Sequence, residues 1–98
     1  MNDKVTKYQA SEINGITVPA RGTQVAHMGI GSLYNKKFAT KMIGYKYEYD
    51  GGKYPKTVVP TEVYEVSDTQ WDITFYNMHD KESVNITVKS IIGSTAID

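Results

Sequence analysis

The sequence predicts a mostly β domain: a small antiparallel barrel or sandwich of about five to seven strands, with at most one short helix. Apolar and polar residues alternate along residues 71–77 and again along residues 83–92. This is the period of a strand with one buried face and one solvated face. Turn-like polar stretches separate these segments from each other. A chain of 98 residues has room for one such unit, so we expect residues 1–98 to form a single small β domain.

The N-terminal part of the chain contains a predicted hairpin. Asn14-Gly15 is a favoured two-residue turn, because both residues accept positive φ, and it would join residues 5–13 to a short strand at 16–18. Pro19 should end that strand, because proline has no N–H for the ladder.

Residues 32–42 form the ambiguous segment. Ser32 suits a helix N-cap, and Tyr34, Phe38 and Met42 recur every fourth residue, so we expect one short helix here. The end of this segment also alternates between apolar and polar residues, which leaves a strand as the alternative.

A second turn is predicted at Asp50-Gly51-Gly52, after a strand at residues 42–49. The return strand would occupy about residues 53–59. Because Pro55 and Pro60 cannot donate ladder hydrogen bonds, this strand should be short or lie at an edge.

The rest of the chain predicts an antiparallel meander of consecutive strands at residues 62–66, 71–77 and 83–92. The last two strands should be neighbours in one sheet. Their apolar faces should share one core, formed by Trp71, Ile73, Phe75, Val84, Ile86 and Val88.

Charge is balanced over the whole chain but not along it. Eleven basic and eleven acidic residues give a formal net charge of zero, which argues against a nucleic-acid coat protein. Residues 1–49 nevertheless carry a net charge of +4, and residues 50–98 carry −4. Either consecutive strands pair opposite charges, or the domain has a basic and an acidic face. The opposite charges of the two halves also predict a homodimer.

Several kinds of chemistry are excluded or disfavoured. The chain has no cysteine, so it has no disulfide, thiolate zinc site or cysteine nucleophile. Its two histidines, His27 and His79, show no repeated ligand spacing, and we expect His27 to be a half-buried, hydrogen-bonded strand residue. The Gly29-Ile30-Gly31-Ser32 stretch lacks the spacing of a dinucleotide or P-loop motif, although it would suit an anion site at a helix N-terminus. We therefore expect no catalytic residue, no metal, no cofactor and no enzymatic activity.

The first residues lack the apolar stretch of a signal peptide, and apolar runs elsewhere are short, so we expect a cytoplasmic protein without a membrane partner.

Tyrosine is the distinctive residue, with eight in 98. Tyr45, Tyr47 and Tyr49 share one face of a strand, and Lys46 lies on the other face. Because the chain has one leucine, these rings could supply the core, or they could form an exposed aromatic stripe. The segment around them concentrates lysine and tyrosine, which together suit an acidic protein surface. We predict a partner-binding site formed by Tyr34, Lys36, Lys37, Lys41, Tyr45, Lys46, Tyr47, Tyr49, Lys53 and Tyr54.

The favoured function is a non-enzymatic binding protein that covers an acidic surface of a host protein. Ten lysines against one arginine indicate an AT-rich gene, which with the small size suits an inhibitor encoded by a phage or mobile element and acting in the host cytoplasm. One alternative is a single-stranded nucleic-acid-binding module of OB or SH3 type, with tyrosines stacking on bases and lysines contacting phosphates. Another is an oligomeric protein that sequesters a nucleotide or forms part of a virion.

Overall fold

A computed structural model describes residues 7–29, 38–52, 55–67 and 69–96, and these ranges form a β-sandwich. The strands are β1 (Lys7–Val18), β2 (Thr23–Gly29), β3 (Phe38–Tyr49), β4 (Val58–Ser67), β5 (Gln70–Asn77) and β6 (Val84–Ala96). The first sheet has the order β1-β6-β3, the second has the order β2-β5-β4, and all neighbours are antiparallel. The predicted fold class, a small antiparallel barrel or sandwich, is confirmed, and of the two architectures the chain forms the sandwich. In the described ranges no helix is long and apolar enough to cross a membrane.

The core lies between the two sheets and is built mainly by their central strands, β5 and β6. Buried and partly exposed residues alternate along both strands, as the period-two pattern predicted. The main cluster contains Val18, Ala26, Met28, Val58, Ile73, Phe75, Val84, Ile86 and Val88. Trp71 is buried as predicted, but it packs with Ile92 and Met42 in a second, smaller cluster.

The predicted pairing of the last two strands is wrong. β5 and β6 are not neighbours in one sheet but the central strands of opposite sheets, which pack face to face. Alternation shows which face of a strand is buried, and that face is the same whether two strands lie side by side or across a core. Buried Asn77 lies at the end of β5 where the chain leaves the second sheet, and its side chain donates to the carbonyls of Val18 and Glu82.

The predicted hairpin at Asn14-Gly15 is also wrong. β1 runs unbroken through both residues, with Asn14 opposite Val88 and Gly15 opposite Thr87. The long strand β6 offers ladder partners on both sides of this dipeptide, and continuous pairing overrides its turn preference. β1 ends at Val18, directly before Pro19, as predicted.

The strand alternative is correct for the described part of the ambiguous segment: residues 38–42 belong to β3, and residues 30–37 lie outside the described ranges. The turn at Asp50–Gly52 is confirmed as a single 3-10 turn, with Gly51 at a positive φ of 71°. It does not form a hairpin, because β4 belongs to the other sheet. The predicted return strand at residues 53–59 and the predicted strand at 62–66 are wrong as separate elements, because the chain forms one strand there, β4 (Val58–Ser67). This strand lies at a sheet edge, as its prolines predicted, and Pro60 adjoins a β-bulge.

The two long sides of the sandwich are built differently. On one side β1 lies against β2, where the Asn14 side-chain amide is 3.5 Å from the His27 carbonyl oxygen. On the other side the edge strands β3 and β4 are joined mainly by side chains, as the next section describes. This second side carries the described part of the predicted site.

Candidate partner-binding site

The structure describes five of the ten predicted site residues, and all five lie on β3. Tyr34, Lys36, Lys37, Lys53 and Tyr54 lie outside the described ranges. The others are Lys41, Tyr45, Lys46, Tyr47 and Tyr49. Alternation along β3 places Tyr45, Tyr47 and Tyr49 on one face of the strand and Lys46 on the other, so these four residues do not form one surface.

The three tyrosines point into the sandwich and cover the β3 side of the core. The Tyr47 ring packs edge-on against Phe75 with centroids 5.1 Å apart, and the Tyr45 ring does so at 6.4 Å. Tyr47 and Tyr49 direct their hydroxyls outward to the rim, where both donate to the Val58 carbonyl oxygen, at 3.2 and 3.0 Å. These rings therefore belong to the core and do not form the exposed aromatic stripe that was the alternative.

Burial affects the ionisation of the central tyrosine. Desolvation raises the pKa of Tyr47 above its ordinary value of 10.0, and the neighbouring Tyr49 and Tyr45 raise that pKa further. The Tyr47 phenol is therefore neutral at physiological pH and acts as a hydrogen-bond donor to Val58.

Lys41 links the two edge strands. Its ammonium group forms an ion pair with the Glu65 carboxylate of β4, and both side chains are about half exposed. Lys41, which the sequence predicted to contact a partner, thus has an acidic neighbour within its own chain. This contact joins opposite charges across the two sheets rather than along one sheet.

Lys46 points outward and belongs to a row of residues that crosses the first sheet. Lys89 of β6 lies between Ile13 of β1 and Lys46 of β3, and all three face solvent. We call these three residues the lysine row. Ile13 is 63% exposed and the Lys46 side chain is 57% exposed. Glu48, on the same face, lies 3.9 Å from both ammonium groups, so these three charges sum to +1.

The face around the lysine row has open space at two glycines. Gly15 and Gly44 lie on its two edge strands, and a Cβ added at either glycine would meet nothing within 4 Å. Ile43, at a β-bulge in β3, is 48% exposed and adds apolar surface at the same edge. An accessible surface with lysines and exposed isoleucines can combine burial with electrostatic attraction.

Sequence reasoning missed two members of this row. Ile13 and Lys89 come from opposite ends of the chain and meet only through the pairing of β1 with β6. The single local signal was the alternation along β6, which places Lys89 on the face opposite Val88 and therefore outside.

The second sheet carries the opposite charge. Residues 57–77, which include β4 and β5, contain four acidic residues and no lysine or arginine. Asp72 and Thr74 lie on its outer face, because they precede and follow the buried Ile73 along β5. Glu62 pairs with Thr74 and therefore lies on the same outer face. The fold thus converts the charge difference between the two halves of the chain into two sheets of opposite charge.

The two histidines form local hydrogen bonds within the sandwich and its turns. His27 is hydrogen-bonded, as predicted, with its Nδ1 2.8 Å from an Asp72 carboxylate oxygen, but its side chain is 65% exposed rather than half-buried. The Nδ1 of His79 accepts hydrogen bonds from the backbone N–H groups of Lys81 and Glu82, and so stabilises a turn. No group of three or more metal-ligating side chains occurs among the described residues.

Comparison with known proteins adds no relative: the chain matches no family model, no curated protein and no solved structure.

Proposed function

We propose that this protein is a non-enzymatic binding module that docks on an acidic surface of another protein through the lysine row. The observation that carries the proposal is the register of the first sheet, which aligns Ile13, Lys89 and Lys46 on one solvent-facing surface. A protein of this size with one exposed basic and apolar sheet face would act by covering part of its partner. That mode of action suits an inhibitor encoded by a phage or mobile element, as the lysine-rich composition suggests.

The chemistry of the row favours a partner with acidic and apolar groups side by side. The exposed isoleucine offers apolar area, which supplies most of the affinity at protein interfaces. The lysines mainly accelerate association and select an acidic partner. Glu48 lies near both lysines and holds their ammonium groups on this face.

The nucleic-acid alternative receives less support from this geometry. That alternative needs exposed aromatic rings on which bases can stack. Tyr45, Tyr47 and Tyr49 instead pack on the core, and two of them use their hydroxyls on Val58. The lysine row itself contains no aromatic residue.

The test compares three proteins as bait in a nuclease-treated lysate of a low-GC bacterium. The row variant carries Ile13→Glu and Lys89→Glu, which removes exposed apolar area and reverses one charge. The control carries Met78→Glu and Lys81→Glu, the same types of change at exposed positions in the turn after β5. We expect the wild type and the control to capture the same protein, and the row variant to capture it at least about tenfold more weakly.

Circular dichroism and a thermal melt verify that each variant is folded before capture is compared. Equal capture by all three proteins would contradict the proposal. A parallel capture from untreated lysate tests the alternative: capture that occurs only without nuclease, and that falls steeply as salt increases, would instead support nucleic-acid binding through counterion release.

A further inference from the structure

Two edge strands of opposite charge lie side by side on one long side of the sandwich. In the described ranges β3 pairs only with β6, and β4 pairs only with β5. β3 contributes Lys41 and Lys46 against one acid, Glu48, whereas β4 contains Glu62 and Glu65 and no basic residue. Edge strands present outward-facing backbone N–H and C=O groups and are therefore sites at which a further strand can add.

The surface of β4 is also unusually open for a strand in so small a domain. All seven residues from 61 to 67 are exposed, on both faces of the strand. They include three large apolar side chains, Val63, Tyr64 and Val66, which are 46–59% exposed. A neighbouring strand would cover this apolar surface.

The relative direction of β3 and β4 follows from two contacts. Tyr49 lies level with Val58 and Lys41 lies level with Glu65, so the two strands run antiparallel across the layers. A two-fold rotation about an axis parallel to the strands exchanges the layers of the two sheets. It preserves the direction of each strand and the position of each residue along the axis. It therefore brings β3 of one copy beside β4 of a second copy, antiparallel and in the same layer.

The register of that pairing matches opposite charges. Tyr49 of one copy lies at the level of Val58 of the second copy. We count back along β3 and forward along β4 from this pair, and skip Thr61, the extra residue of the β4 bulge. The count places Lys46 opposite Glu62 of the second copy. Both side chains lie on the outer faces of their sheets, which become continuous on one side of the joined sheet. Opposite charges at directly facing positions stabilise antiparallel pairs.

We propose that this protein forms a two-fold homodimer in which β3 of each copy pairs with β4 of the other. The dimer would contain two continuous six-stranded sheets, each with the order β1-β6-β3-β4-β5-β2. Pro60 lacks an N–H, and the outward-facing backbone groups of Val58 are already bonded to the Tyr47 and Tyr49 hydroxyls of the same copy. The new ladder therefore runs along residues 61–67 of β4, and side-chain contacts contribute much of the association. The other possible axis, perpendicular to the sheets, would join β4 to β4 and place glutamates against glutamates.

This proposal does not rest on the proposed function, because it uses the edges of the sheets. Ile13 and Lys89, the residues changed in the capture experiment, lie on β1 and β6, and neither strand would pair with the second copy. Failure of one proposal therefore leaves the other intact.

A charge-swap experiment tests the dimer by sedimentation over a range of protein concentrations at low salt. We expect the wild type to dimerise. Glu62→Lys alone and Lys46→Glu alone should each weaken dimerisation by about tenfold or more, because each change places like charges together at two symmetric positions. The combined swap should restore the dissociation constant to within about threefold of wild type, since the paired charges are again opposite.

Lys81→Glu with Glu82→Lys, two exposed neighbours in the turn between β5 and β6, is the matched control and should dimerise like wild type. Amide hydrogen exchange adds a second measurement, with protection of β3 and β4 increasing as the dimer forms. A wild-type monomer at the highest concentration would overturn the proposal. A dimer that both single changes leave intact, or a swap that restores nothing, would also overturn it.

Discussion

Tyr49 and Val58 exchange two hydrogen bonds between opposite sheets of the sandwich. The Tyr49 hydroxyl donates to the Val58 carbonyl oxygen at 3.0 Å and accepts from the Val58 N–H at 3.2 Å. The tyrosine thereby satisfies both backbone groups of a residue at the edge of the second sheet. A partly buried aromatic side chain of the first sheet thus provides the polar contact that an adjacent strand would otherwise supply.

Removing this hydroxyl should loosen the β3 side of the sandwich. We expect Tyr49→Phe to lower the free energy of unfolding by about 1–2 kcal/mol, because the Val58 N–H loses its partner while the ring still packs. Urea denaturation measures the change. Tyr64→Phe is the control, since Tyr64 is 59% exposed on the outer face, and it should alter stability by less than about 0.5 kcal/mol. Equal effects of the two changes would show that the hydrogen bonds between Tyr49 and Val58 contribute nothing to stability.

Tyr47 should make the protein sensitive to alkaline pH. Burial raises its pKa in the folded state above the ordinary value of 10.0, so the unfolded chain loses this proton at a lower pH than the folded chain does. The resulting stability is fully present below about pH 10 and is lost as the pH rises through the folded-state pKa. We expect the stability of wild type to fall more steeply above pH 10 than that of Tyr47→Phe. Parallel curves for the two proteins would contradict this assignment.

Asn77 should be the most sensitive polar residue in the described structure. Its fully buried amide donates to the carbonyls of Val18 and Glu82 and accepts from Thr57 and the His79 N–H, which joins four segments at one end of the sandwich. Asn77→Ala should cost about 2–4 kcal/mol of stability, because one buried and three partly buried polar groups lose their partner.

Asn77→Asp separates hydrogen bonding from packing. The aspartate has nearly the same shape, but its ionised carboxylate would face two carbonyl oxygens. We expect it to destabilise the protein at least as much as alanine does at neutral pH. Stability close to that of wild type would show that the amide donors are unimportant.

The fold class could be predicted because alternation is a local property of the sequence. Residues 71–77 and 84–92 show which side chains are buried without reference to their neighbours. By contrast, the sheet that a strand joins depends on residues far away in the sequence. Asn14-Gly15 has a strong turn preference by itself, but the ladder with β6 extends through it. The pairing of distant strands therefore explains why the hairpin predicted at Asn14-Gly15 does not form and why β5 and β6 lie in different sheets.

The candidate site was predictable only in part for the same reason. Alternation correctly placed Lys46 and the tyrosines of β3 on opposite faces. Which face is inner depends on Phe75, against which Tyr45 and Tyr47 pack, and that residue comes from the other sheet. The lysine row likewise depends on Ile13 meeting Lys89 across two strands far apart in the sequence.

Ser90 interrupts the apolar inner row of β6 between Val88 and Ile92, at the junction of the two core clusters. It is 1% exposed, and its hydroxyl has no hydrogen-bond partner among the described residues. Burying a hydroxyl without a partner costs free energy, whereas a methyl group at the same position carries no such penalty. We therefore expect Ser90→Ala to stabilise the protein by up to about 1 kcal/mol in urea denaturation, an unusual result for a core truncation. Ser90→Thr keeps the hydroxyl and adds volume opposite Tyr45, so it should not stabilise. A loss of stability in the alanine variant would show that the hydroxyl contributes a favourable interaction in the folded protein.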